Sequence, residues 1–188
     1  EYFYMPVFES AAMIPPQTRR EALTEVRAQL DTVSGSILNI RVGGNDLSHA
    51  FGLRRPANRT IYDLRPVADI LIDIVAAFGT QYVVSGPVWE YYSGEGWEEG
   101  LRREMELDLL NGFTGKTVIH PNQIPVVNEM LRVSQQDYAD ARAILNWDTG
   151  SGSLVSASED GGRMNEYNTH SRWARRIVLR AERYGVRA

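Results

Sequence analysis

The sequence predicts an α/β protein built on a parallel sheet, and three observations carry that prediction. Strand-like and helix-like patterns alternate four times, the connections between them are short, and the strand-like runs are apolar almost throughout. Alternating elements of this kind join parallel strands through right-handed crossovers. Strands without polar alternation are covered on both faces. Periodicity leaves two arrangements open, a doubly wound open sheet or half of an eight-stranded barrel.

Each element has its own signal. Tyr2–Phe8 is an apolar, aromatic-rich run that reads as a buried strand, entered with no polar lead-in, as if the chain began inside a domain. Thr18–Val33 places Leu23, Val26, Leu30 and Val33 at helical spacing, with Thr18 as N-cap. Ser36–Val42 reads as a second strand ending at Gly43-Gly44, followed by a polar loop. Leu64–Phe78 is a strong helical pattern closed by Gly79 in the C′ position. Gln81–Trp89 is the third strand, Trp97–Leu110 a charged amphipathic helix, and Lys116–His120 the fourth strand. Gln123–Val133 and Gln136–Trp147 read as helices. Beyond Trp147 the texture changes. Asp148–Gly162 is a Gly/Ser-rich connector with a short strand at Ser153–Val155. Thr169–Tyr184 is a last amphipathic helix whose stripe of Trp173, Ile177, Arg180-Ala181 and Tyr184 needs a surface to lie on. The expected organisation is therefore one α/β unit over 1–147 and a connector with its helix over 148–188.

A 188-residue chain with 43% hydrophobic and 23% charged residues has enough apolar material for one real core. A net charge of −4 gives no electrostatic footprint for nucleic acid. No apolar run approaches the ~20 residues that span a bilayer, so no membrane partner is expected. Absence of cysteine excludes disulfides and thiolate chemistry and fits a cytoplasmic location.

Among candidate sites, Gly112–Thr117 invites a phosphate-loop reading, which fails on both spacing and context. Only two residues separate Gly112 from Gly115-Lys116, and the segment precedes a strand. Glu9 and Asp46 each follow a predicted strand. Carboxylates on neighbouring strand tips are suited to one hard cation, although an Asp in that place also serves as a helix N-cap. His120, before Pro121, is open to two roles: acid or base, or a backbone-bonded corner residue. Trp89, at the third strand tip, either walls a pocket or packs the rim.

Three segments together resemble one family. They are Glu9 after the first strand, Gly43-Gly44-Asn45-Asp46-Leu47 after the second, and Asn111–Ile124 (NGFTGKTVIHPNQI) around the fourth. The pattern is similar to that of the citrate lyase beta-subunit-like group of the HpcH/HpaI aldolase superfamily, C–C bond lyases on a (β/α)8 TIM barrel. Val133–Leu145 resembles the family's post-barrel helix, and Gly162-Arg163-Met164-Asn165-Glu166 its Gly-Lys-Met-Ile-Asp element. Pro87-Val88-Trp89-Glu90-Tyr91 and His170-x-x-Trp173-Ala174 resemble the barrel lyases found beside tellurium-resistance genes.

The resemblance implies that this chain covers barrel strands five to eight plus the C-terminal extension. It implies Mg²⁺ held by Glu9 and Asp46. It also implies an enolate stabilised during C–C cleavage, and a small carboxylic acid or its CoA thioester as substrate. Arg41, Gly43, Gly44, Pro87 and Trp89 would line the pocket. Glu166, where relatives carry an aspartate, would reach a neighbouring subunit's site in a homo-oligomer, with His120 a second catalytic candidate. The contrasting expectation is a non-catalytic partner or remnant that keeps the fold without the chemistry.

Overall fold

The computed structural model describes residues 2–147, 155–158 and 160–187, which divide into two compact units, Glu1–Met130 and Leu131–Ala188. The first holds a four-stranded sheet of order β1-β2-β3-β4, all parallel: β1 (Val7–Phe8), β2 (Ile40–Val42), β3 (Val84–Gly86) and β4 (Gly115–Lys116). Between them run α1 (Pro16–Asp31), the short α2 (Gly44–Ala50), α3 (Arg65–Phe78) and α4 (Trp97–Leu110), with α5 (Gln123–Met130) closing the unit. Sequential parallel strands joined by helices are the arrangement the alternation predicted.

Side chains alternate across this sheet as a pleat requires. Phe8, Ile40, Val42 and Val84 face the helices and pack with Leu23 of α1 and Val67, Ile70, Leu71, Ile74 and Phe78 of α3. The Phe8 and Phe78 rings lie 4.9 Å apart. Burying each such side chain contributes roughly 1.5–3 kcal/mol, so α3, buried along its whole apolar stripe, is the main anchor of the layer. The opposite face carries Val7, Arg41 and Ser85, which share one level of the register.

A second interior on the helix side is ionic. Lys116 Nζ lies 2.8 Å from both Glu104 and Asp108, two residues one turn apart on α4, with all three side chains almost wholly buried. Arg55, equally buried, pairs with Glu104 at 2.9 Å, and the Ile61 amide donates to the same carboxylate at 2.8 Å. Tyr62 donates to Asp108 at 2.7 Å; burial and the Asp108 charge push that phenol far above its ordinary pKa. Burial opposes the charge on Lys116, yet Asp108 and Glu104 more than offset it and hold the ammonium above its usual value. The network ties the loop before α3, helix α4 and strand β4 together.

Several elements differ from the sequence reading for identifiable reasons. Helix α1 begins at Pro16, because proline suits the first turn, and the Thr18 hydroxyl donates to Ala12 and Pro15 carbonyls instead of capping. Gly79 ends α3 with right-handed dihedrals, not in the left-handed C′ geometry. Strand β4 stops at Lys116. The Thr117 amide still donates to the Gly86 carbonyl, but the Ile119 amide is taken by the Gln123 side chain, which turns the chain away from the sheet. Helix α2 falls where a loop was expected.

The second unit pairs β5 (Val133–Ser134) with β8 (Val186–Arg187) and packs α6 (Gln135–Leu145) on α7 (Tyr167–Tyr184) through Ala141, Ile144, Ala174, Ile177 and Ala181. Helix α6, placed with the barrel in the sequence reading, belongs to this unit. A hairpin of β6 (Val155–Ala157) and β7 (Met164–Glu166) is docked by Arg163, which bonds Asp140 and Asp137 and covers the Trp173 ring at 5.4 Å. Of the strand expected at Ser153–Val155, Ser153 and Leu154 lie outside the described residues and Val155 opens β6. No helix among the described residues is long and apolar enough to cross a membrane.

Removing the ammonium from the ionic interior leaves two carboxylates buried on one helix face. Lys116→Met is expected to cost about 3–5 kcal/mol, read as a lowered midpoint in urea unfolding, whereas a lysine with no structural role would tolerate methionine with little change.

Candidate active site

All four parallel strands end on the same side, and their next residues form one level. Glu9 leaves β1, Gly43 leaves β2, Pro87 leaves β3 and Thr117 leaves β4, each one position beyond a paired residue. The level is held by backbone bonds, Gly43 to the Phe8 carbonyl and Thr117 to the Gly86 carbonyl, each 3.1 Å. The carboxyl ends of parallel strands are where α/β folds build their sites.

Gly43 is the centre of this level. A Cβ built on it would stand 2.5 Å from Glu9 Cβ and 3.2 Å from Asp46 Oδ2, and would collide with Glu9 Oε2. Two carboxylates from different strands therefore border one glycine, their oxygens no more than about 6 Å apart, a spacing that side-chain rotation can close onto one small cation with waters completing its shell. Both residues are exposed, which leaves the outer positions open. Among the described residues no group of three or more His, Cys, Asp or Glu side chains gathers into a fuller cage. The chemistry of the pair, hard oxygens and few of them, fits magnesium rather than a softer metal.

Asp46 is not the N-cap of α2. That position belongs to Gly43, and Asp46 sits in the first turn with its carboxylate free of any capping bond. The helix-capping role left open by the sequence therefore does not account for it. Its place in the first turn still suits a negative charge, since the helix dipole favours anions there.

The remaining candidates take differing places around this level. Gly44 lets α2 approach β3, since a Cβ there would stand 2.6 Å from Pro87 Cβ and 2.7 Å from Ile61 Cδ1. Gly44 and Pro87 are both buried and set the wall by packing on each other. Trp89 has no exposure at all: its indole N–H donates to the Trp97 carbonyl at 2.9 Å, and Arg55 lies over its ring at 5.1 Å. Of its two roles, this placement supports rim packing. Arg41 faces the open side of the sheet and donates through Nε to Thr117 Oγ1 at 3.5 Å. His120 stacks on Tyr92 at 4.3 Å, and its Nδ1 accepts from the Asn122 amide at 3.2 Å. That bond leaves Nε2 as the protonated nitrogen of the neutral ring, and it makes His120 part of a fixed corner. β1 and β4 are opposite edges of the sheet, about 14 Å apart at ordinary strand spacing. Glu166 closes β7 in the second unit, its amide donating to His170 Nδ1 at 3.0 Å.

Sequence reasoning missed Gln123. Buried to 1% exposure, it donates to the Trp89 and Tyr91 carbonyls and accepts from Ile119, stitching two strand-end loops together. Its signal was present: it lies in the segment Asn111–Ile124 that carries the family resemblance.

With this geometry in view, comparison with known proteins is decisive at the level of family. The profile of the C–C bond lyases of the TIM-barrel fold matches residues 1–186. The chain belongs to that family. Its four parallel strands are accordingly part of a TIM-barrel-type architecture. An L-malyl-CoA/beta-methylmalyl-CoA lyase from Cereibacter sphaeroides (strain ATCC 17025 / ATH 2.4.3) is 38% identical over 74 residues, 38% of this chain and 22% of that protein. CitE from Mycobacterium tuberculosis, solved in complex with magnesium, acetoacetate and coenzyme A, is 25% identical with a TM-score of 0.58. The match covers 78% of this chain and 53% of CitE. A citrate lyase from Burkholderia xenovorans LB400 shares the fold with a TM-score of 0.64 at 17% identity, over 97% of this chain and 53% of its own. The chain thus spans about half the length of the solved relatives and less of the malyl-CoA lyase.

The tight fit around Trp89 gives a direct check on the packing at the rim of the site. Gly100 on α4 has no room for a side chain, since a Cβ there would meet Trp89 and stand 2.5 Å from the Ala57 carbonyl. Gly100→Ala is expected to destabilise the chain by about 1–3 kcal/mol through overpacking and to shift the tryptophan emission. An unchanged melting temperature with native fluorescence would show that the Trp89 environment is looser than described.

Proposed function

We propose that this chain carries the metal-binding half of a Mg²⁺-dependent C–C bond lyase that acts on a small carboxylic acid or its CoA thioester. The observation that supports it most is the meeting of Glu9 and Asp46 over Gly43 at the strand ends. Glu9 and Asp46 would hold the ion, which when bound supplies a Lewis acid for the oxygen that gains charge as the C–C bond breaks. The chain's own residues do the rest. Gly43 keeps the space between the carboxylates clear. Gly44 and Pro87 fix the angle at which α2 delivers Asp46. The His120–Tyr92 corner and Gln123 hold the loops that border the cleft. His120 Nε2 would serve as a proton donor at that border.

CitE carries magnesium and coenzyme A together, and the malyl-CoA lyase is named for a CoA thioester; both support a thioester as one substrate class. Glu166, at the end of the Arg163-docked hairpin, is proposed to serve a neighbouring subunit's site in a cytoplasmic homo-oligomer. Light scattering is expected to give a mass above 21.2 kDa; a monomer at all concentrations would remove the role in trans.

The contrasting reading is a partner or remnant that keeps the fold without chemistry, and metal binding separates the two. At ten times its Kd, Mg²⁺ stabilises a native state by about 1.4 kcal/mol, which moves Tm by about 3–6 °C in a chain of this size. That shift is expected for the natural chain. It should be lost in Asp46→Asn, which keeps size but removes charge, and in Gly43→Ala, whose φ of −82° accepts alanine but whose methyl displaces Glu9. No shift in any of the three proteins would favour the remnant reading.

A further inference from the structure

Arg41 stands apart from the other arginines of the sheet unit. Each of the others that is half-buried or more has a carboxylate partner: Arg19 with Asp73, Arg27 with Asp31, Arg55 with Glu104, and Arg102 with Glu98 and Glu129. Arg41 is half-buried in the middle of β2, and among the described residues no carboxylate pairs with it. Among the described residues its side chain meets a neutral hydroxyl, Thr117 Oγ1, 3.5 Å from Nε.

The register says where that guanidinium lies. The Arg41 backbone is level with Val7 and Ser85, one step below the site, whereas Thr117 follows Lys116, the partner of Gly86, and so stands level with Gly43 and Glu9. To meet Thr117 the side chain crosses β3 on the open face and rises to the level of the carboxylate pair. Ser85 Oγ, directly beneath, is already engaged by the Asn39 amide at 3.1 Å. Nε is turned toward Thr117, so the two terminal nitrogens remain as an end-on fork, the geometry that receives a carboxylate through two parallel bonds. Two acidic groups and one cation with no carboxylate partner among the described residues thus border the same cleft.

We propose that Arg41 is the specificity residue of this site. Its terminal nitrogens bind a carboxylate of the ligand while the Thr117 hydroxyl positions the guanidinium, so the cleft selects acids over their neutral counterparts. The inference rests on reading the strand-end cleft as the substrate site, and it does not require the metal. The opposing account is a solvated arginine whose stem covers apolar surface.

Pyruvate and pyruvamide separate the two accounts, since they differ in charge but share the oxo group. Binding of each is measured by ligand-observed NMR with and without Mg²⁺, with thermal melts on every variant. The natural chain is expected to prefer pyruvate by about tenfold or more. Arg41→Met should bring the two ligands within about twofold, Arg41→Lys should retain part of the preference, and Thr117→Val should weaken pyruvate alone. The Mg²⁺-dependent melting shift should persist in all three variants, which keeps this test apart from that of the metal pair. If pyruvate selectivity depends on Arg41 while no Mg²⁺ shift is seen, the metal reading fails and this one stands. A natural chain that binds neither ligand, or shows no preference, overturns the proposal. So does an Arg41→Met variant that folds and keeps the preference.

Discussion

Glu104 accepts from three directions at once: the Lys116 ammonium, the Arg55 guanidinium and the Ile61 amide, all with the carboxylate fully out of solvent. Taking such charges out of water costs several kcal/mol per ion, and the cost is met only when every lone pair finds a donor. Here the charges balance, with two cations against Glu104 and Asp108, and Tyr62 bonds the remaining Asp108 oxygen. The consequence is geometric rather than a gain in stability. Each member comes from a different segment, so the network is satisfied only when β4, α4 and the loop before α3 stand in one mutual arrangement.

That arrangement reaches the site through close approaches. Gly86 lies against Asp108, and a Cβ there would stand 2.5 Å from Oδ2. The strand that carries Pro87 is thereby pinned to the ionic interior on its helix side. Arg55 lies over Trp89, Trp89 fills the space that Gly100 leaves, and Gln123 holds the Trp89 carbonyl. The open face of the sheet is left for polar work because the helix face carries both the apolar packing and the ions.

The sequence made the fold legible where one force dominates. Leu64–Phe78 was read almost to its ends because a single apolar stripe fixes α3. The strands were found but drawn too long. Apolar residues continue past the paired positions in Gln81–Trp89 and Lys116–His120, where side-chain bonds such as Gln123 to Ile119 end the ladder instead. Helix α2 was hidden because Gly43, Gly44 and Asn45 are loop residues by propensity, and it forms through Ser48 and Leu47, buried beneath it. Glu9 and Asp46 could be named from strand ends and from the family pattern. Their nearness was expected of neighbouring strand tips; the part of Gly43 in leaving room between them was not, because it depends on register. Lys116 was weighed against a phosphate-binding role and set aside. Its actual partners were visible only as two carboxylates four residues apart among the apolar residues of α4.

Lys116 is also the single lysine in a sequence with 19 arginines, and its side chain has no exposed surface. The folded protein therefore offers acylating reagents no ε-amine on the described surface. A fluorophore ester, an acetyl donor or a ubiquitin conjugate reaches the Lys116 ε-amine only when β4 parts from α4. Covalent capture of that one amine becomes a clock for opening of the ionic interior, with arginine-rich surfaces contributing no background.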